Sequence, residues 1–326
     1  MAEDRRGRLR GGIDLGGTKI QTVVVDDRYT VLGKARAPTP TTGGPPDVAA
    51  AMARAMRDAA RDAGTETSKL TCVGAGSPGA IDAKAGTVTS ARNLPGWHGS
   101  YPLGRKLAEL LGAPVALGND VQVATDAEAQ LGAGRTYSSM LGVFWGTGVG
   151  GGIVLDGRPW LGQGGAGEIG HVVVKVDGAI CPCGRRGCME AYAGRNALER
   201  RARELHAKGE STDLFKIAKK RGRERLTSGV WAAALERKDP LATNLIDRAV
   251  EMLGAGVASV VNVLDVEVVI LGGGLGVRLG QPFADRIAGA MAPHLFHDYR
   301  PPPVLVAALG DLGGAIGASL LEPDGE

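Results

Sequence analysis

The sequence predicts an α/β protein made of two related halves. Three observations carry this expectation. Short apolar, β-branched runs alternate with stretches of helical periodicity along the chain. The form apolar strand, glycine turn, apolar strand occurs at residues 9–34 and again at 139–155, as a structural echo rather than a sequence repeat. The 52 glycines cluster as GIDLGGT, GTGVGGG and LGGGLG between apolar runs, a pattern that suggests backbone brought close to a ligand.

The elements follow in order. LRGGIDLGG, TKIQTVVVD and TVLGKA read as an antiparallel meander. Residues 46–63 read as a helix, with Pro46 in its first turn and Gly64 just past its end. Val48, Met52, Met56 and Ala59 form its apolar stripe. Next come the strand LTCVGAGSP, a glycine- and proline-rich loop, and a short helix at LGRKLAELLG. The strand APVALGND then leads into the helix VQVATDAEAQLG. After the second hairpin, SMLGVFWGTGVGGGIVLDG, residues 195–240 are basic and helical, and 241–264 form a long helix. The buried-looking strand VEVVILGGG is followed by one helix, the strand VLVAAL and the helix DLGGAIGASLL. Residues 1–8 are expected to be a frayed tail.

Composition excludes several classes. A chain of 326 residues can hold two ordinary α/β domains. A net charge of +3 is too mild to argue for a nucleic-acid partner. No apolar run approaches the roughly 18–20 residues of a membrane span. MAEDRRGRLR lacks the apolar core of a signal peptide. Four cysteines, three of them clustered, are not a disulfide framework, so a cytoplasmic location is expected.

Four constellations carry chemistry. GIDLGGTK offers Gly16, Gly17, Thr18 and Lys19 at a strand–strand turn, where backbone N–H groups can face phosphate oxygens. An ordinary tight hairpin would read the same way. GTGVGGG, with Gly146, Thr147, Gly148 and Gly150, has more glycine than a turn requires, which favours a ligand cradle. Asn119 and Asp120 stand at a strand-to-helix turn. Either could cap the helix, or Asn119 could cap it while Asp120 accepts a proton from an attacking hydroxyl. His171, Cys181, Cys183 and Cys188 make a closed one-imidazole, three-thiolate set suited to structural zinc. A Cys-x-x-Cys redox pair is absent, and Cys72 reads as a buried small hydrophobe. Glu168 and Glu190 flank the metal set and would be held in place by it. Arg185 and Arg186 read as solvated at the loop tip, since a zinc-module nucleic-acid surface would carry more charge and interleaved aromatics.

DLGGTK, NDV, GTGVGGG, GEIGH and CPCGRRGCME, in this order, resemble the ROK family of sugar kinases over about residues 11–320. SPGAID and NLPGW also resemble segments of bacterial ROK glucokinases. The resemblance implies an actin-like ATPase (ribonuclease H-like) fold, two α/β domains around a cleft. A smaller domain is expected over 1–118 plus 310–326, and a larger one over 119–309 carrying the zinc loop. It implies ATP-dependent phosphorylation of a hexose, with the glucose 6-hydroxyl as first expectation. N-acetylglucosamine, N-acetylmannosamine or fructose as acceptor, and polyphosphate as donor, are the alternatives. Asp120 would be the general base. Gly79, Asn93, Asn119, Glu168, His171 and Glu190 would hold the sugar. The two hairpins would hold phosphates, with Mg²⁺ bound alongside ATP, and Gly272, Gly273 and Gly274 the adenosine side. A homodimer or homotetramer is expected by the same resemblance. Some members place a Ser a few residues after GCxE, where this chain has Ala191, Tyr192, Ala193 and Gly194. ROK repressors carry a DNA-binding segment ahead of DLGGTK. The 13 residues before Asp14 leave no room for one, so a repressor is not expected.

Overall fold

The computed structural model describes residues 8–91 and 94–323. Residues 1–7 of the expected tail and Asn93 lie outside them. The chain divides into two compact units. The first runs to Gly132 and also takes in 161–166 and the residues from Leu309 onward. The second comprises 133–160 and 167–308. Among the described residues each unit has one five-stranded sheet, and the first also has a small three-stranded one.

In the first unit the meander forms as expected: β1 (Arg10–Leu15), β2 (Lys19–Val25) and β3 (Val31–Pro38) are antiparallel neighbours. Helix α1 (Pro45–Asp62) leads to β4 (Cys72–Ser77), which pairs parallel with β1. Three short strands, β5 (Ala80–Asp82), β6 (Thr87–Thr89) and β7 (Ser100–Tyr101), make the small sheet. They occupy the segment expected to be a loop, because two or three residues are too few to show alternation. Helix α2 (Leu103–Leu111), β8 (Val115–Asn119) and α3 (Asp120–Gln130) complete this stretch. The main sheet has the order β3-β2-β1-β4-β8, with β8 parallel to β4.

β2 is covered on both faces: every residue from Ile20 to Val25 is buried, the polar Gln21 and Thr22 included. Ile20 and Val24 join a core with Val48, Met52 and Met56 of α1. Val23 and Val25 face the other way, onto Ala315 and Ile316 of the C-terminal helix Gly313–Ser319. Each such fully buried side chain contributes roughly 1.5–3 kcal/mol relative to exposure. The first unit extends beyond the expected edge at residue 118. Helix α3 packs on β4, β8 and the C-terminal helix, so the unit ends at Gly132.

The second unit repeats the plan. β9 (Met140–Trp145), β10 (Val149–Leu155) and β11 (Arg158–Pro159) are antiparallel neighbours. Helices α4 (Glu190–Ala193), α5 (Arg195–Ala207), α6 (Leu214–Lys220) and α7 (Ser228–Glu236) precede the long α8 (Pro240–Leu264). β12 (Val268–Gly272) pairs parallel with β9, and β13 (Val304–Val306) with β12. The order β11-β10-β9-β12-β13 is the order of the first sheet, counted strand by strand. The single helix expected after β12 is instead α9 (Gly273–Leu279) and α10 (Gln281–Met291). Gly280 between them takes φ +72°, which ends one helix, and Pro282 starts the next.

Candidate active site and metal centre

In the first unit, the turn from β8 to α3 shows which of the two residues caps the helix. Asn119 is the N-cap: its Oδ1 accepts from Val121 N and Gln122 N, each at 3.1 Å. Asp120 is therefore the first helical residue, and its Oδ1 accepts from Val121 N at 3.0 Å. The N–H groups of a helix's first turn favour negative charge at this position. Gly79 follows β4 with φ +100°, so a side chain there would be strained.

The first glycine hairpin lies between β1 and β2. Gly16 N donates to Lys19 O at 2.9 Å, and Thr39 Oγ1 donates to Gly16 O at 2.6 Å. Lys19 Nζ bonds Asp311 Oδ1 at 2.6 Å, and Gln21 Nε2 bonds the other oxygen at 3.2 Å. The lysine expected to meet phosphate is thus paired with a carboxylate of its own unit. Asp14, at the end of β1, was not singled out from sequence. Burial pushes its carboxyl up to about 6, opposed by Lys19 and reinforced by Asp311. An acidic residue inside an apolar strand, GGIDL, was the available signal.

The second hairpin joins β9 to β10. Gly146 N donates to Gly148 O at 2.9 Å, and Val149 N donates to Glu190 Oε2 at 2.9 Å. A Cβ on Gly148 would overlap that same Glu190 oxygen, so a side chain there would displace the carboxylate from Val149 N. Gly150 lies within β10 opposite Phe144. Gly272 to Gly274 form the turn from β12 into α9. They border the hairpin, since a Cβ on Gly146 would stand 3.7 Å from Gly274 N. Arg195 and Asn196, at the start of α5, donate their backbone N–H groups to Gly146 O and Thr147 O, both at 3.1 Å. Trp145, fully buried, donates its Nε1 to Ala193 O at 2.7 Å. The hairpin, the Gly272–Gly274 turn and Glu190 are therefore one connected set.

The metal-type cluster is also assembled. One ligand atom each from His171, Cys181, Cys183 and Cys188 lies within 4.8 Å of the others. Cys183 Sγ and Cys188 Sγ are 3.7 Å apart, and Cys181 Sγ is 3.7 Å from His171 Nδ1. Tetrahedral zinc with bonds of about 2.3 Å to sulfur separates two sulfurs by about 3.8 Å, so the donor set fits zinc. Burial pushes the Cys181 thiol up to about 12, so a metal must displace its proton on binding. His171 Nε2 lies 3.7 Å from Glu168 Oε2, the exposed carboxylate three residues earlier. The loop around the cluster is held by bridges Val173–Cys188 and Ile180–Arg186, and by Ala179 N donating to Tyr192 Oη at 2.7 Å. Arg185 and Arg186 are exposed, and Cys72 is buried in β4.

Two sheets of one strand order, each with a glycine hairpin between its first two strands, define the actin-like ATPase fold. The ROK family profile matches residues 10–324, and the chain belongs to the ROK family. A glucokinase of Thermotoga maritima is 33% identical over 312 residues, covering 94% of this chain and 95% of that protein. An N-acetylgalactosamine kinase of Shewanella sp. (strain ANA-3) is 34% identical over 319 residues, covering 95% of each. A ROK family glucokinase from Streptomyces griseus, solved in complex with glucose and AMPPNP, matches with a TM-score of 0.83 at 31% identity. The match covers 97% of this chain and 100% of that one.

Proposed function

We propose that this protein is an ATP-dependent sugar kinase that phosphorylates glucose at its 6-hydroxyl. The observation that carries the reading is the division of labour at the β8–α3 turn. Asn119 takes the capping role, and Asp120 stands as the first helical carboxylate. The similarity to glucokinases over nearly the whole chain supports the same substrate.

The reaction is an in-line displacement. Glucose O6 attacks the γ-phosphorus, the bond from that phosphorus to the β–γ bridging oxygen breaks, and ADP leaves. The Asp120 carboxylate accepts the O6 proton. Gly16, Gly17 and Thr18, with Lys19 beside them, and Gly146, Thr147, Gly148 and Gly150 hold the donor's phosphates. Gly272, Gly273 and Gly274 border the adenosine. Mg²⁺ bound with the nucleotide would neutralise phosphate charge. Asp14 is the oxygen donor that the first hairpin's strand offers such an ion. Gly79, Asn93, Asn119, Glu168, His171 and Glu190 bind the sugar. His171, Cys181, Cys183 and Cys188 would hold a structural zinc that fixes the segment bearing Glu168 and Glu190.

An N-acetylhexosamine is the second reading, favoured by the 34% identity to the N-acetylgalactosamine kinase. Polyphosphate as donor has less support. Two of the cations that could form its track, Arg203 and Arg225, are engaged by the buried Glu199. A coupled assay over a sugar panel, with ATP and with polyphosphate, tests all three. Glucose turnover with ATP is expected. Turnover of only an N-acetylhexosamine reassigns the acceptor, and no turnover with any sugar sinks the kinase reading. Among the described residues no helix is long and apolar enough to cross a membrane. The expected homodimer or homotetramer is checked by light scattering.

A further inference from the structure

We propose that Arg195 is a positioning residue that presets two hydroxyls, Thr147 Oγ1 and Ser228 Oγ, as donors to the phosphate oxygens of the bound nucleotide. The proposal rests on the kinase reading above. Arg195 Nη2 donates to Thr147 Oγ1 at 3.0 Å, and its Nη1 donates to Ser228 Oγ at 3.1 Å. Thr147 is the tip of the second glycine hairpin. Ser228 is the first residue of α7, and its Oγ stands 3.6 Å from where a Cβ on Gly274 would lie. One guanidinium thus links a hydroxyl of the hairpin to a hydroxyl beside the Gly272–Gly274 turn.

A guanidinium has donors and no acceptor. Each hydroxyl must therefore accept from Arg195, which leaves its own proton for another acceptor. Two hydroxyls arranged this way present two O–H donors beside two glycine turns. The charge balance points to an anion. Among the described residues, no carboxylate comes within 4.0 Å of the Arg195 guanidinium, although its neighbours Arg203 and Arg225 are both paired with Glu199. Arg195 is only partly exposed. Burial, and then the nearby Arg225, disfavour its charged form, with Glu199 opposing them. A half-buried cation without a carboxylate is costly unless an anion arrives, and a phosphate would supply one. Lysine could not replace it, because one ammonium cannot reach both hydroxyls in the fork geometry.

The test compares Arg195→Met, Arg195→Lys and Ser228→Ala with the wild type. ATP and sugar are varied separately, and AMPPNP binding is measured by calorimetry. Arg195→Met should raise KM for ATP and Kd for AMPPNP about 10- to 100-fold. Sugar KM, zinc content and Tm should stay unchanged. Arg195→Lys should recover only part of the loss. If Arg195→Met fails to fold, Ser228→Ala removes one hydroxyl alone and should weaken AMPPNP by about 3- to 10-fold. Equal AMPPNP affinity in the wild type and the variants overturns the proposal, as does a sugar KM that rises in step with the ATP KM. A wild type that binds AMPPNP but phosphorylates no sugar fails the kinase reading alone, and the shift in nucleotide affinity still reports on Arg195.

Discussion

The two glycine hairpins hold equivalent places in their sheets, between the first and second strands, yet they are supported differently. The first is braced locally. Thr39, just past β3, bonds Gly16 O, and Lys19 is neutralised by Asp311. The second is gripped by a segment that follows the metal-type cluster. Glu190 bonds Val149 N, and Arg195 bonds Thr147. A Cβ on Gly16 would meet nothing closer than Lys19 O at 3.2 Å, whereas one on Gly148 would overlap Glu190. One topology thus supports a turn braced from nearby and a turn held by the segment that follows the His171–Cys188 cluster. Substitutions should separate the two.

The largest effect is expected in the first unit. Asp120→Ala should lower kcat by about 10²- to 10⁴-fold, with sugar affinity and zinc content kept. Near-normal kcat in that variant would remove Asp120 from the role of base. Cys188→Ala should next abolish zinc binding and lower Tm by roughly 10 °C or more, judged by metal analysis and calorimetry. In the same variant, amide exchange should accelerate in the second unit while β1 to β4 keep their protection. Equal loss of protection in both units would show that the first unit depends on the cluster as much as the second does. Gly148→Ala should then cost about 1–3 kcal/mol of stability in urea titrations, and Gly16→Ala less than about 1 kcal/mol. Similar costs would mean that Glu190 does not support the second hairpin.

The smallest expected effect concerns α3. Asp126 is buried with Gln122 Nε2 at 2.7 Å from its Oδ1, and burial pushes its carboxyl up to about 7 from 3.8, against the pull of Gln122. Between those values the folded state holds a proton that the unfolded state has lost. Stability from this group is therefore highest below the lower value and falls as pH rises toward 7. Asp126→Asn should flatten that decline and stabilise the protein at pH 8 by on the order of 2–4 kcal/mol. A wild type whose Tm does not fall more than the variant's between pH 5 and pH 8 contradicts this.

What the sequence disclosed depended on whether the signal was local. The meander, the stripe Val48, Met52, Met56 and Ala59, and the four-residue metal set were all legible, because glycine turns, helical spacing and clustered thiols are written within a few residues. At Asn119 and Asp120 the residues were legible, and so was a cap at Asn119. Asn and Asp are equally good caps, and the two bonds to Asn119 Oδ1 show which of them caps this helix. The segment after the His171–Cys188 cluster makes a second layer of contacts that spacing could not reveal. The link from Glu190 to Val149 spans 41 residues, and that from Arg195 to Thr147 spans 48. Asp14 escaped because its perturbation comes from burial and from Asp311, almost 300 positions away. The unit boundary at Gly132 was equally hidden, since it depends on the packing of α3 against a helix from the far end of the chain.

That distant helix carries a consequence for biosynthesis. Residues 313–319 press on the first sheet so closely that a Cβ on Gly12 would overlap Ala315 O and one on Gly74 would overlap Ala318 O. They also cover Val23 and Val25, which would otherwise leave one face of β2 wet. The first unit, although translated first, cannot finish until its last helix leaves the ribosome. The second unit, complete by Ala308, has all its own strands earlier. Order of synthesis and order of completion therefore differ: one face of β2 stays uncovered until a helix from the far end of the chain docks on it.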